Sequence, residues 1–159
     1  MPELQPDQAV FLLHACLPQI KREHKTTLKI IQAVPVDQGG YKPHPDSMSA
    51  LDLAWHVASA EIYFMTSAAA GEFAKPEPRP ESIQDSAAVA QWYSENFAKF
   101  FDRVRNLTAE QLLKRIPFHG YNETALAYLQ FMLTHSIHHR GQLTVYLRPM
   151  GAQMPAMHD

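Results

Sequence analysis

The sequence predicts an all-α protein, a four-helix bundle with long connections and a short extra helix. Three observations predict it. Four long segments repeat apolar residues at helical spacing, proline- and glycine-rich breaks separate them, and no convincing strand run appears. The 159 residues suit a single domain, with a core over about residues 6–150 and a loose tail from Gln153 to Asp159.

The first helix is expected over Pro6 to Ala33. Val10, Leu13, Leu17, Ile20, Leu28 and Ile31 fall on one face. Pro18 lacks a backbone donor and should kink or split that helix. Cys16 fills space within it. His14 and His24 read as surface or interface residues, since neither has a partner at ligand spacing. Residues 34–46 form a connector containing Gly39-Gly40 and three prolines, with His44 solvated.

Ser47 or Ser49 caps the second helix, which runs to Ala70 and stops at Gly71. Its core stripe is Leu51, Ala54, Trp55, Ala58, Ile62 and Met65, with His56 beside it. After a proline-rich loop over residues 72–83, the third helix is expected from Gln84 to Asn106, with Ser82 as its cap. Val89, Trp92, Tyr93, Phe97, Phe100, Phe101 and Val104 form its aromatic core stripe. Thr108 to Gln111 resembles a capping box that opens a short helix to about Arg115. A turn or short extended piece, Phe118-His119-Gly120-Tyr121, leads to the last helix. That helix begins near Asn122 or Thr124 and ends near Arg148, a span of roughly 37 Å at 1.5 Å per residue. Leu126, Leu129, Leu133, Ile137 and Val145 or Leu147 supply its apolar contacts, and Gly141 suggests a close backbone approach.

Composition narrows the function. The net charge is -2 with neutral histidines and no basic stripe stands out, which disfavours nucleic-acid binding. The single cysteine rules out an internal disulfide. No signal peptide opens the sequence and no apolar run reaches the roughly 18 residues of a membrane span, so a cytoplasmic location and no membrane partner are expected.

The chemistry concentrates in Thr134-His135-Ser136-Ile137-His138-His139-Arg140-Gly141-Gln142-Leu143. His135 and His139, four apart, sit one turn above the other on a helix and can hold one divalent ion. His138 lies about 60° round the helix from that pair and is the alternative to one of its members. A three-histidine site needs one more ligand, and His56 is the best candidate. Asp52, one turn before His56, and Glu61, about 140° round the helix from it, could each orient a ligand from behind, although such residues are more often solvated helix charges. Three imidazoles suit zinc or nickel, with an open position for water or a thiol. The position that an H-E-x-x-H motif fills with Glu is Ser136, which disfavours a zincin-type protease. No E-x-x-H pair supports a di-iron site.

The phrase His135-x-x-His138-His139-Arg140-Gly141-Gln142-Leu143, followed by Tyr146-Leu147-Arg148-x-Met150-Gly151, resembles the last helix of the DinB-like family. Leu53-Ala54-Trp55-His56-Val57-Ala58-x-x-Glu61 resembles that family's second helix. The resemblance implies a four-helix bundle, commonly a homodimer, with a metal held by His56, His135 and His139. It also implies a metal-dependent enzyme, such as a thiol S-transferase or a thiol-dependent isomerase. One branch of the family replaces a ligand histidine with glutamate, whereas this chain has histidine at all three positions.

Two functions are therefore expected to compete. The first is a metal-dependent transferase or hydrolase acting on a small-molecule substrate, with a low-molecular-weight thiol as a possible co-substrate. Glu61, His138 and Arg140 are its candidate catalytic residues, although Arg140 suits a structural ion pair better than a substrate anion. Trp55, Tyr63, Trp92 and Tyr128 are its candidate pocket walls. The second is a non-catalytic binding or stress-response module with a structural or vestigial metal site. A fourth protein ligand such as His138, Glu61 or His119, completing the coordination, would favour it.

Overall fold

A computed structural model describes residues 4–156. In chain order the elements are α1 (Pro6–Gln32), a single 3-10 turn (Val36–Gln38), α2 (Ala50–Ala70), α3 (Ser86–Val104), α4 (Ala109–Leu113), β1 (Arg115–Phe118), β2 (Tyr121–Thr124) and α5 (Ala125–Leu147). The long helices α1, α2, α3 and α5 form the bundle, and α4 is the short extra helix. α2 packs chiefly on α5 and α3, and α1 packs on the other sides of the same two helices. α1 and α2 therefore face each other across a diagonal.

Local chemistry sets the helix ends. Ser49 caps α2, its Oγ accepting from the Asp52 backbone N–H at 3.1 Å, and Gly71 closes the helix at φ 73°, a left-handed conformation suited to glycine. The Thr108 capping box forms, with Thr108 Oγ1 accepting from Gln111 N–H and Gln111 Oε1 from Thr108 N–H. Thr124 caps α5 through the Ala127 N–H. Pro18 does not split α1. It lies on the exposed side, and the carbonyl it leaves without a helical donor belongs to exposed His14, where water can replace the lost bond.

Several expectations are corrected. The third helix starts at Ser86, two residues later than Gln84, because Asp85 rather than Ser82 caps it by accepting from the Ala88 N–H at 2.8 Å. Ser82 instead lies in a turn closed by the Ile83 N–H on the Pro80 carbonyl. The extended piece is a true hairpin, with Arg115 opposite Thr124 and Phe118 opposite Tyr121. Its two turn residues, His119 (φ 47°) and Gly120 (φ 84°), both have positive φ, as the tightest hairpin turns require. The short helix accordingly stops at Leu113.

On α5, Ile137 is 39% exposed and Val145 is 64% exposed, whereas Leu147 is buried. The buried stripe instead runs Leu129, Leu133, Ser136, Arg140, Leu143, Leu147, with two polar members. Gly141 makes no close approach, since a Cβ added there would meet nothing within 4 Å. Past α5, Ala152 and Met154 pack partly against the core, so the tail is not uniformly loose. Residues 157–159 of the expected tail lie outside the described residues.

Candidate metal centre

The most extensive helix pairing in the bundle, α2 against α5, builds the site. His56 projects from α2, and His135 and His139 project one turn apart from α5. One ligand atom from each of the three lies within 4.8 Å of the other two. The His56 ring centroid is 5.1 Å from that of His135 and 4.5 Å from that of His139, and the α5 pair is 4.5 Å apart. All three side chains are half-buried.

The electrostatics favour neutral imidazoles. Burial pushes the His135 pKa down to about 4, and His139, His56 and His138 add to the shift. Burial, then His139, lowers His56. A metal needs the imidazole lone pair, so these rings are in the binding form at neutral pH. His139 Nδ1 lies 3.1 Å from Gln142 Oε1, an acceptor, and the neutral tautomer that donates to it carries its lone pair on Nε2. His135 Nδ1 is buried without a hydrogen-bond partner, a cost that a structure ordinarily avoids. Three clustered imidazoles, one of them with an unpartnered buried nitrogen, fit a divalent first-row ion.

The remaining sequence candidates fall elsewhere. His138 is exposed and outside the cluster, although its ring lies 4.9 Å from that of His139. Asp52, one turn before His56, accepts from Ser49 Oγ at 2.6 Å and from Arg79 at 2.7 Å. Arg140 is buried and pairs with Glu23 of α1 at 2.7 Å, with further bonds to the Glu23 carbonyl and Thr27 Oγ1. This is the ion pair expected in place of a substrate-anion contact. His119 sits exposed in the hairpin turn, and His14 and His44 are exposed. His24, expected at a surface or interface, is instead 8% exposed and stacked on Phe97 at 3.5 Å.

Glu61 is only 3% exposed, not the solvated helix charge its type suggests. Its Oε2 accepts from Ser136 Oγ at 2.9 Å. Burial pushes its carboxyl up to about 7, against the opposing pulls of Tyr93, Ser136 and Arg140. The Tyr93 hydroxyl approaches Glu61 and Thr27 without closing a well-aligned hydrogen bond. Glu61, Ser136, Arg140, Glu23, Thr27 and Tyr93 thus form a polar layer drawn from all four long helices. Sequence reasoning missed Ser136, Thr27, Glu23 and Tyr93 as parts of it. The available signal was two polar residues interrupting the Leu129-to-Leu147 stripe at helical spacing.

An aromatic wall flanks the other side. Phe64 and Phe131 lie 6.0 and 5.9 Å from the His135 ring. Behind Phe64 stand Tyr63, Phe73, Phe118 and Tyr128, with Phe118 delivered by the hairpin. The Tyr128 hydroxyl donates to the Ile116 carbonyl and fixes the hairpin on α5. Of the four expected wall residues, Tyr63 and Tyr128 join this cluster. Trp55 and Trp92 pack on each other between α2 and α3 at 4.6 Å.

Comparisons with known proteins agree with this architecture. The sequence model of the DinB family matches residues 10–159. The chain is 31% identical to the uncharacterized protein YjoA of Bacillus subtilis strain 168, over 79% of this chain and 82% of YjoA. It is 32% identical to the uncharacterized protein YrdA of the same strain, over 67% of this chain and 64% of YrdA. The crystal structure of YjoA, a DinB-like protein, superposes with a TM-score of 0.74 at 28% identity, covering 90% of this chain and 97% of that one. A DinB-like protein from Bacillus cereus matches in fold with the same TM-score at 24% identity, over 88% and 93% of the two chains.

Proposed function

This chain belongs to the DinB family, and from that premise we propose that it is a metal-dependent enzyme acting on a small-molecule substrate at His56, His135 and His139. The observation that carries the proposal is the convergence of three imidazole donors from two helices within 4.8 Å. Three protein ligands leave at least one coordination position for chemistry. Among the described residues no fourth ligand joins the cluster: Glu61, His138 and His119 all stay outside it. That supports a catalytic role over a closed structural site.

Zinc or nickel suits the donor set. A bound divalent ion would lower the pKa of a water to about 7 or deprotonate a thiol. The protein's own contribution is positional. Gln142 holds the His139 ring by its Nδ1–H, and Phe64 and Phe131 pack beside the His135 ring. With these parts, the reaction is transfer of a low-molecular-weight thiol to an electrophile, or hydrolysis. We also propose a homodimer, supported by the exposed apolar residues Ile137 and Val145 of α5. Light scattering should give twice the 18.0 kDa chain mass.

Elemental mass spectrometry on protein purified without an affinity tag tests the site. About one equivalent of a divalent ion per chain is expected, lost in the His56→Ala/His139→Ala variant. A wild type that retains no metal after incubation with each ion would overturn the proposal. Assays pairing a panel of low-molecular-weight thiols with electrophilic acceptors, with and without chelator, then separate transfer from hydrolysis.

A further inference from the structure

The triad depends on two helices holding a fixed register. His56 is on α2, and His135 and His139 are on α5. A slide of one residue between the helices displaces one side of the site by about 1.5 Å. Ridges-into-grooves packing between α2 and α5 opposes such a slide, but an apolar slide orphans no polar atom. A buried hydrogen bond opposes it strongly, since losing the partner leaves a polar atom orphaned.

The α2–α5 interface contains one such bond beside the triad. Ser136 Oγ donates to Glu61 Oε2 at 2.9 Å. Ser136 is 1% exposed and Glu61 3% exposed, so water does not compete. Ser136 immediately follows the ligand His135, and Glu61 lies five residues beyond the ligand His56. The bond therefore joins the two ligand-bearing helix segments from the interior side. Glu61 is backed by Tyr93 of α3. One turn along α5 from Ser136, Arg140 is fixed to Glu23 and Thr27 of α1.

We infer that Glu61 and Ser136 are positioning residues of the metal centre, a cross-helix brace that sets the register at which His56 meets His135 and His139. This rests on the metal-site reading above. The brace does not ligate the ion. It acts through the helices that present the ligands.

Cobalt(II) alone is the probe, with affinity and ligand-field absorption read on the full chain. The wild type should bind one equivalent. Ser136→Ala removes the donor, and Glu61→Asp withdraws the carboxylate by one methylene. Each should weaken cobalt binding about tenfold and change the absorption bands, in line with other groups that orient metal ligands. Glu61→Gln keeps an accepting oxygen at the same reach and should retain near-wild-type affinity and spectrum. A role in stability alone would lower the melting temperature of the metal-free protein and leave both cobalt readouts unchanged. If either brace-breaking variant folds and binds cobalt with wild-type affinity and spectrum, the inference is overturned and the metal site stands. If the wild type binds no cobalt, the site reading fails and the brace fails with it. Should Ser136→Ala not fold, Glu61→Asp carries the same readout.

Discussion

At the scale of single residues, burial decides what a histidine does. Chain position gives His24 no distinguishing mark, yet it stacks on Phe97 and packs at a tilt against Tyr93 with an unpartnered Nδ1, and burial pushes its pKa down to about 4. The folded protein therefore resists protonating it, while the unfolded chain protonates it near 6.5. The unfolded state then binds the extra proton between those values. Stability is full above about pH 6.5 and falls as pH drops towards 4, by up to about 3 kcal/mol. His24→Leu should remove this component. Urea midpoints measured at pH 7 and pH 4.5 should fall less in the variant than in the wild type, and equal falls would rule the account out. The same contrast of burial separates His135 from His138. The two are three residues apart, but one faces the ligand cluster and the other faces solvent.

At the scale of elements, α5 carries most of the chemistry and shows where pattern reading succeeds and fails. Its N-cap, its length and the His135/His139 pair follow from Thr124 and from helical periodicity. Its buried stripe does not, because Ser136 and Arg140 look like surface residues until Glu61 and Glu23 are brought opposite them. Gly141, whose small size suggests a contact point, faces open space within the protomer. Gly141→Ala should thus recover helix propensity, stabilising the fold by about 1 kcal/mol. For a chain this long, that is a rise of roughly 2–4 °C in melting temperature. Gly141 lies one turn from both Ile137 and Val145, so a fall in a thermal scan would show that the second protomer covers this face. In the hairpin, Gly120 at φ 84° has room for a methyl group but not the backbone conformation for one. Gly120→Ala should cost about 1 kcal/mol and loosen the Phe118 side of the aromatic wall.

For the whole molecule, metal binding and folding should be linked, because the triad spans two helices and exists only in the folded state. An ion at a hundred times its dissociation constant adds about 2.7 kcal/mol to stability. Chelation should lower the melting temperature of the wild type and leave the His56→Ala/His139→Ala variant unmoved. Equal responses would detach the ion from the triad. The sequence by itself determined the bundle, most helix ends and the identities of the three clustered histidines. These rest on periodicity, on capping chemistry and on two stretches that resemble one family, all of which are local in the chain. Only the tertiary structure decided that Glu61 is buried, that Ser136 and Arg140 are core residues, that residues 115–124 pair as a hairpin, and that aromatic rings rather than charges flank His135. Most of these depend on a partner distant in sequence, from Ser136 on Glu61 to Arg140 on Glu23, whereas the hairpin pairs residues at most nine apart. Desolvation and pairing are properties of that contact, and neither residue encodes them alone.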